Sequence, residues 1–177
     1  MKYTWTMLLV LSGTMLEAQD LASAAGGATA AEKTYEEAEK AYQRADYSDA
    51  IALYGQVLAM DPDDLNAYLH RGFCHSLNKE YEEAVNDFTA VIQRKPDHIW
   101  AYTSRGSAYN KLERYDKAIQ DFDTVLSLDP RNEEAYNNRG WTKKGMGDAK
   151  GACKDWKASQ RMGNAEAKII LNNNRCK

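Results

Sequence analysis

The sequence predicts an all-α protein, a right-handed α-solenoid of stacked antiparallel helix pairs. Two observations carry this. Residues of one kind recur at a step of 34 positions, and within each step apolar and small residues fall at helical spacing. Pro62, Pro96 and Pro130 keep the step, as do Ala50, Ala84, Ala118 and Ala152. Gly72, Gly106 and Gly140 form a third column, with Ala38 in register before them. Aromatic columns accompany them: Tyr54, Phe88, Phe122 and Trp156; Tyr68, Tyr102 and Tyr136; Tyr47, Tyr81 and Tyr115. A fixed period of this size marks a repeat architecture.

Each period reads as two helices. Residues 65–78 put Tyr68, Gly72 and His75 on one face, and residues 82–94 put Ala84, Phe88 and Val91 on one face at spacings of four and three. Gly72 and Ala84 are small where two helices approach closely. The prolines fall between helices, where a missing N–H costs little. Asp61, Lys95 and Asp129 precede them and are pushed out of helical geometry. Asp148 is placed to cap a helix starting near Ala149. The units are 31–64, 65–98, 99–132 and 133–164, followed by a predicted capping helix over 165–176. One such unit is too small to fold unaided, so stacking supplies each hairpin with a second apolar neighbour.

These columns together resemble the tetratricopeptide repeat. The resemblance covers about residues 31–164. The end units depart from it: Thr34 and Ala41 stand where aromatics are usual, Ala149 replaces the tyrosine, and Asn164 the proline. What it implies is a protein-binding array whose first helices line a concave face. Carried onto this chain, that face holds Glu39, Tyr42 and Gln43; Leu69, Phe73 and Leu77; Thr103, Ser107, Asn110 and Lys111; and Asn137, Trp141 and Lys144. Leu69, Phe73 and Leu77, spaced by four, form a stripe that either receives a partner or packs against the first unit or the leader. Some relatives clamp acidic chaperone tails with Lys, Asn and Arg on this face. Tyr35, Glu39, Thr103 and Ser107 stand here instead, which argues against that ligand.

Arg71, Arg105 and Arg139 recur before the glycines, and Asp87, Asp121 and Asp155 before the aromatics. The first unit has Glu37 and Leu53 there and so lacks both. Their joint presence predicts repeated structural ion pairs, closing either within a repeat or between repeats, against the alternative of a row of arginines facing a ligand. Cys153 lies in the last second helix and Cys176 at the end of the cap. Similar exported repeat proteins carry a cysteine pair at these places, so the resemblance implies a disulfide pinning the cap, against the alternative of two free thiols. Cys74 is then a small, partly buried thiol.

The N-terminus differs in composition. Lys2 precedes an apolar stretch from Trp5 to Leu16, too short to span a membrane and matching a signal peptide over 1–18, against an uncleaved anchor or a buried helix. Cleavage falls after Ala18 or, at Ala22-Ser23-Ala24, after Ala24. Residues 19–30 read as a flexible leader. The mature chain is therefore expected to be secreted or periplasmic, with no lipobox cysteine.

Charge is balanced, 23 basic against 26 acidic residues for a net charge of −3. Without a basic stripe, nucleic acid is a poor partner. No nucleophile motif or phosphate loop appears, so neither catalysis nor a cofactor is expected. His70 and Cys74 share a face, but His75 points about 100° away, and two ligands do not make a metal site. His98 is expected to be a solvated turn residue. The predicted function is non-catalytic binding of a protein or peptide partner. The alternative is a self-assembling scaffold of an envelope complex.

Overall fold

The computed structural model describes residues 28–176. These form nine α-helices and no strand: α1 (Ala30–Gln43), α2 (Tyr47–Met60), α3 (Leu65–Leu77), α4 (Tyr81–Arg94), α5 (Ile99–Lys111), α6 (Tyr115–Leu128), α7 (Glu133–Gly145), α8 (Ala149–Met162) and α9 (Ala167–Asn173). Each helix packs on its sequence neighbours. The first helices of adjacent repeats also touch, α3 with α5 and α5 with α7, which sets them on the inner side of a solenoid.

Both kinds of turn follow from local chemistry. Within each repeat the chain reverses through one left-handed residue, in a column of its own: Ala45, Lys79, Glu113 and Gly147. The N–H one residue further on closes a bond to the helix, as from Glu80 to the His75 carbonyl at 2.8 Å and from Arg114 to that of Tyr109 at 2.9 Å. This is a Schellman closure. Between repeats, Asp61, Lys95 and Asp129 are extended, with φ near −130° as the following proline requires. The fourth repeat has Asn164 in place of proline, and Gly163 at φ 118° ends α8 instead.

The glycine column faces the aromatic column. A Cβ on Gly72 would lie 2.7 Å from the Phe88 ring, on Gly106 2.9 Å from Phe122, and on Gly140 2.5 Å from Trp156 Nε1. Phe88, Phe122 and Trp156 are buried there. Stacking between repeats uses a second set of small residues. Ala67, Ala101 and Ala135 are fully buried, as are Cys74, Ala108 and Thr142 to within 2%. In the first repeat these two columns hold Lys33 and Lys40, with Glu37 between them. The face that would meet a preceding repeat is thus charged and solvated.

At the other end α9 takes the place of a fifth first helix. Residues 23 apart meet at the first two repeat boundaries: Ile51 and Cys74 share one apolar cluster, and Val85 and Ala108 another. Cys153 and Cys176 continue this register (85 + 68, 108 + 68) and are paired as a disulfide with Cα atoms 5.4 Å apart. Leu171 covers Ala152 and Trp156, with Ile170 beside it.

Several boundaries differ from the sequence expectation. The signal segment and most of the 19–30 leader lie outside the described residues. Ala30, assigned to the leader, already belongs to α1, because Thr29 and Glu32 form a capping box before it. The cap helix is shorter than 165–176. Asn164 accepts from the N–H groups of Glu166 and Ala167 and delays its start. Arg175 turns left-handed after its end, so Cys176 lies beyond the helix. His98 is not simply solvated: its ring nitrogen accepts from the Ala101 N–H and caps α5.

Candidate functional site

The recurring charges form one unit per repeat. Arg71 donates through Nε and a terminal nitrogen to both oxygens of Asp87, at 2.8 and 2.7 Å. Arg105–Asp121 and Arg139–Asp155 repeat this fork at 2.7–2.9 Å. The pairs close within a repeat. Each guanidinium also lies 5.5–5.6 Å from the tyrosine ring three residues earlier, Tyr68, Tyr102 or Tyr136. Its remaining nitrogen points to the preceding repeat. That of Arg105 donates to Thr89 at 3.0 Å, that of Arg139 reaches Asp123 at 2.5 Å, and that of Arg71 faces Gly55. The first repeat follows no other among the described residues, and it lacks the tyrosine, the arginine and the aspartate together. Burial pushes the Asp121 carboxyl up against the pull of Arg105. Asp155 is equally confined, but Arg139 and Lys143 together outweigh burial and hold it below the usual carboxylate range.

The inner surface is built from α1, α3, α5 and α7. Of the predicted stripe, only Leu77 stands free, at 48% exposure. Leu69 and Phe73 are half-buried instead. Phe73 lies 5.4 Å from Phe88, and Leu69 joins the clusters around Phe88 and around Val91 and Ala101. One residue's turn from a packing face is too little to free a large side chain once α5 closes over α3. Farther along, Asn110 donates to Thr142 at 2.8 Å across the third and fourth repeats. The side-chain oxygens of Asn110 and Asn137 have no partner. Trp141 is 43% exposed, its ring centroid 5.0 Å from that of Trp156 in an edge-to-face contact and 5.0 Å from the Lys144 ammonium over its face. Lys111 is exposed.

A polar network between the first two repeats was not foreseen. Tyr54 donates its O–H to Glu39, and His70 Nδ1 lies 2.7 Å from the same oxygen. The Tyr35 ring packs on both Tyr54 and His70. Burial, then the Glu39 and Asp64 charges, push the Tyr35 hydroxyl up to about 12. Burial and Glu39 push the Cys74 thiol up to about 11, so this free, fully buried cysteine stays protonated. His75 is directed elsewhere, to Glu80 at 2.6 Å. Among the described residues no three His, Cys, Asp or Glu side chains group as a metal site would need.

Two hollows open where the first helices begin. One, of about 850 Å³, lies between the first and second repeats and includes Glu32, Tyr35, Glu36, Asp61 and Asp64. The other, of about 390 Å³, lies between the third and fourth and includes Trp100, Thr103, Asp129 and Asn132. They are equivalent places two repeats apart, since Trp100 stands 68 residues after Glu32, Thr103 after Tyr35, Asp129 after Asp61 and Asn132 after Asp64. Trp100 is 66% exposed. Sequence reasoning passed it over, although its column holds Asn66 and Glu134 and a tryptophan there breaks a polar series.

Two family models, both described as tetratricopeptide repeat, match residues 35–99 and 99–132. Together they span more than half of the 177 residues, and the chain belongs to the tetratricopeptide-repeat proteins. No curated protein matches it. Among solved structures it is similar to MamA from Desulfovibrio magneticus, with a TM-score of 0.72 and 23% identity over 77% of each chain. It is also similar to a thermophilic repeat protein of Thermus thermophilus, with a TM-score of 0.67 and 17% identity over 82% of this chain and 81% of that one. A third is the first repeat domain of Spaghetti (RPAP3), solved bound to an HSP90 peptide, SRMEEVD. Its TM-score is 0.63 at 25% identity, covering 66% of this chain and 93% of that one.

Proposed function

We propose that the protein is a non-catalytic module that holds a peptide segment of a partner protein on the inner face of α1, α3, α5 and α7, in the periplasm or outside the cell. The observation that carries this reading is Trp141. A large aromatic side chain left 43% exposed on the inner face, with a cation over its ring, is the kind of anchor that dominates protein interfaces.

The Spaghetti domain holds an acidic peptide. This chain places Tyr35, Glu39 and Ser107 where relatives that clamp acidic tails use Lys, Asn and Arg, and its Thr103 is buried. The partner is therefore not an acidic tail held by that clamp. Export rests on Lys2 and the apolar stretch that follows, and no helix among the described residues is long and apolar enough to cross a membrane.

The test is capture from a native envelope extract on wild-type protein and on the Trp141→Ala, Lys144→Ala variant. A partner retained by the first and lost by the second is expected; identical capture would sink the groove. N-terminal sequencing of the secreted chain should begin at Gln19 or Ala25, and Met1 would refute export by cleavage.

A further inference from the structure

The proposed groove leaves the chemistry of its ligand open, and the paired hollows narrow it. We infer that the partner segment is an extended peptide carrying a Lys or Arg in the first hollow and an apolar, preferably aromatic, side chain against Trp100 in the second. This rests on the peptide-binding reading above and adds the charge and spacing of the ligand.

Charge complementarity selects the cation. Glu32, Glu36, Asp61 and Asp64 put four carboxylates around the first hollow, and no basic side chain among the described residues lines it. Two helix N-termini oppose them with roughly +0.5 charge each, so a net charge of about −3 remains. Glu32 and Asp64 are already held by the caps of α1 and α3, which fixes their positions without adding a cation. The Tyr35 ring forms part of the wall, and a cation above it would gain from the ring face as well as from the carboxylates.

At the second hollow the acidic surplus falls but does not vanish: Asp97, Asp129 and Glu134 remain, and Lys95 offsets one of them. Trp100 replaces Glu32, Thr103 replaces Tyr35, and Asn132 replaces Asp64, while Lys95 joins the lining. The indole, 66% exposed, then offers the largest apolar surface at this edge. A ligand side chain seated on it would remove that apolar surface from water.

The hollows are two repeats apart. Packed helices lie about 8–10 Å from one another, so the hollows are about 20 Å apart. An extended chain covers ~3.3 Å per residue, which separates the basic and the aromatic residue by about six positions.

The experiment selects peptides from a phage-displayed library on the immobilised mature chain at low salt, in parallel on wild type, on Glu36→Lys, on Trp100→Ala, and on Trp141→Ala with Lys144→Ala. Glu36 and Trp100 are exposed, so melting of both variants should stay unchanged. The expected winners pair a basic with an aromatic residue about six positions apart. Their synthetic forms should bind Glu36→Lys and Trp100→Ala at least about tenfold more weakly, with the Glu36 effect fading as salt rises. Winners that depend on Trp141 but not on Glu36 or Trp100 would keep the groove and overturn this assignment. Acidic winners would overturn it too. An absence of any enrichment would overturn both readings. A chain that self-associates through Trp100, seen by sedimentation, would make a second copy the occupant and refute the peptide.

Discussion

Close approach at single residues holds each repeat together. Gly106 lies so near Phe122 that any side chain there must displace the ring. Gly106→Ala should destabilise by about 1–3 kcal/mol, the usual effect of overpacking, read as a lower midpoint in denaturant. The left-handed turn column works the opposite way. Glu113 adopts φ 57° where the fourth repeat has Gly147. Glu113→Gly removes a left-handed strain of about 1–2 kcal/mol, partly offset by the entropy glycine loses on folding, and thermal melting should rise. The Asp155 carboxylate gives a pH signature. Because Arg139 and Lys143 hold it below its unfolded value, its contribution to stability is present above that value and fades as the pH falls through the native one. Lys143→Met removes one of the two cations, so acid unfolding should begin at a higher pH. An unchanged acid midpoint would show that Arg139 alone suffices.

At the scale of the helix, the 34-residue step made most of the fold legible, because identical neighbours impose identical constraints on each unit. Helix pairing, the glycine–aromatic contact and the linked Arg and Asp columns were all readable from it. The tyrosine under each arginine was visible as a column but not as part of the unit, since cation and ring lie on neighbouring turns of one helix. The reach to the preceding repeat was hidden because the residue it meets varies: Thr89 and Asp123 accept, while Gly55 offers no side chain. Whether Leu69 and Phe73 pack or receive a partner stayed open for a different reason: a helix face can be read from spacing, but what closes over it depends on the next repeat. The docking of α9 was readable, since Cys176 shares a column with Cys74, Ala108 and Thr142. That register makes a prediction. Ile51→Cys places a thiol opposite Cys74 at the contact that Cys153 and Cys176 occupy, and oxidation should give a second intramolecular disulfide, detected as an absence of thiol labelling at both positions.

Over the whole molecule, both ends of the stack are closed, by charge at the start and by α9 at the finish. Lys33, Glu37 and Lys40 keep another repeat from adding before α1. Leu171 and the cysteine pair keep one from adding after α8. The inner groove has two halves that differ in kind. The acidic hollow lies toward the first repeat, while Lys111, Trp141 and Lys144 lie toward the last. The cysteine link also decides how the molecule would bear load. Tension applied to the tail passes through Cys176 to the middle of the last repeat and bypasses α9. A molecule tethered at that end keeps α9 out of the load path, whereas among the described residues α1 is secured by no covalent bond and no Arg–Asp fork.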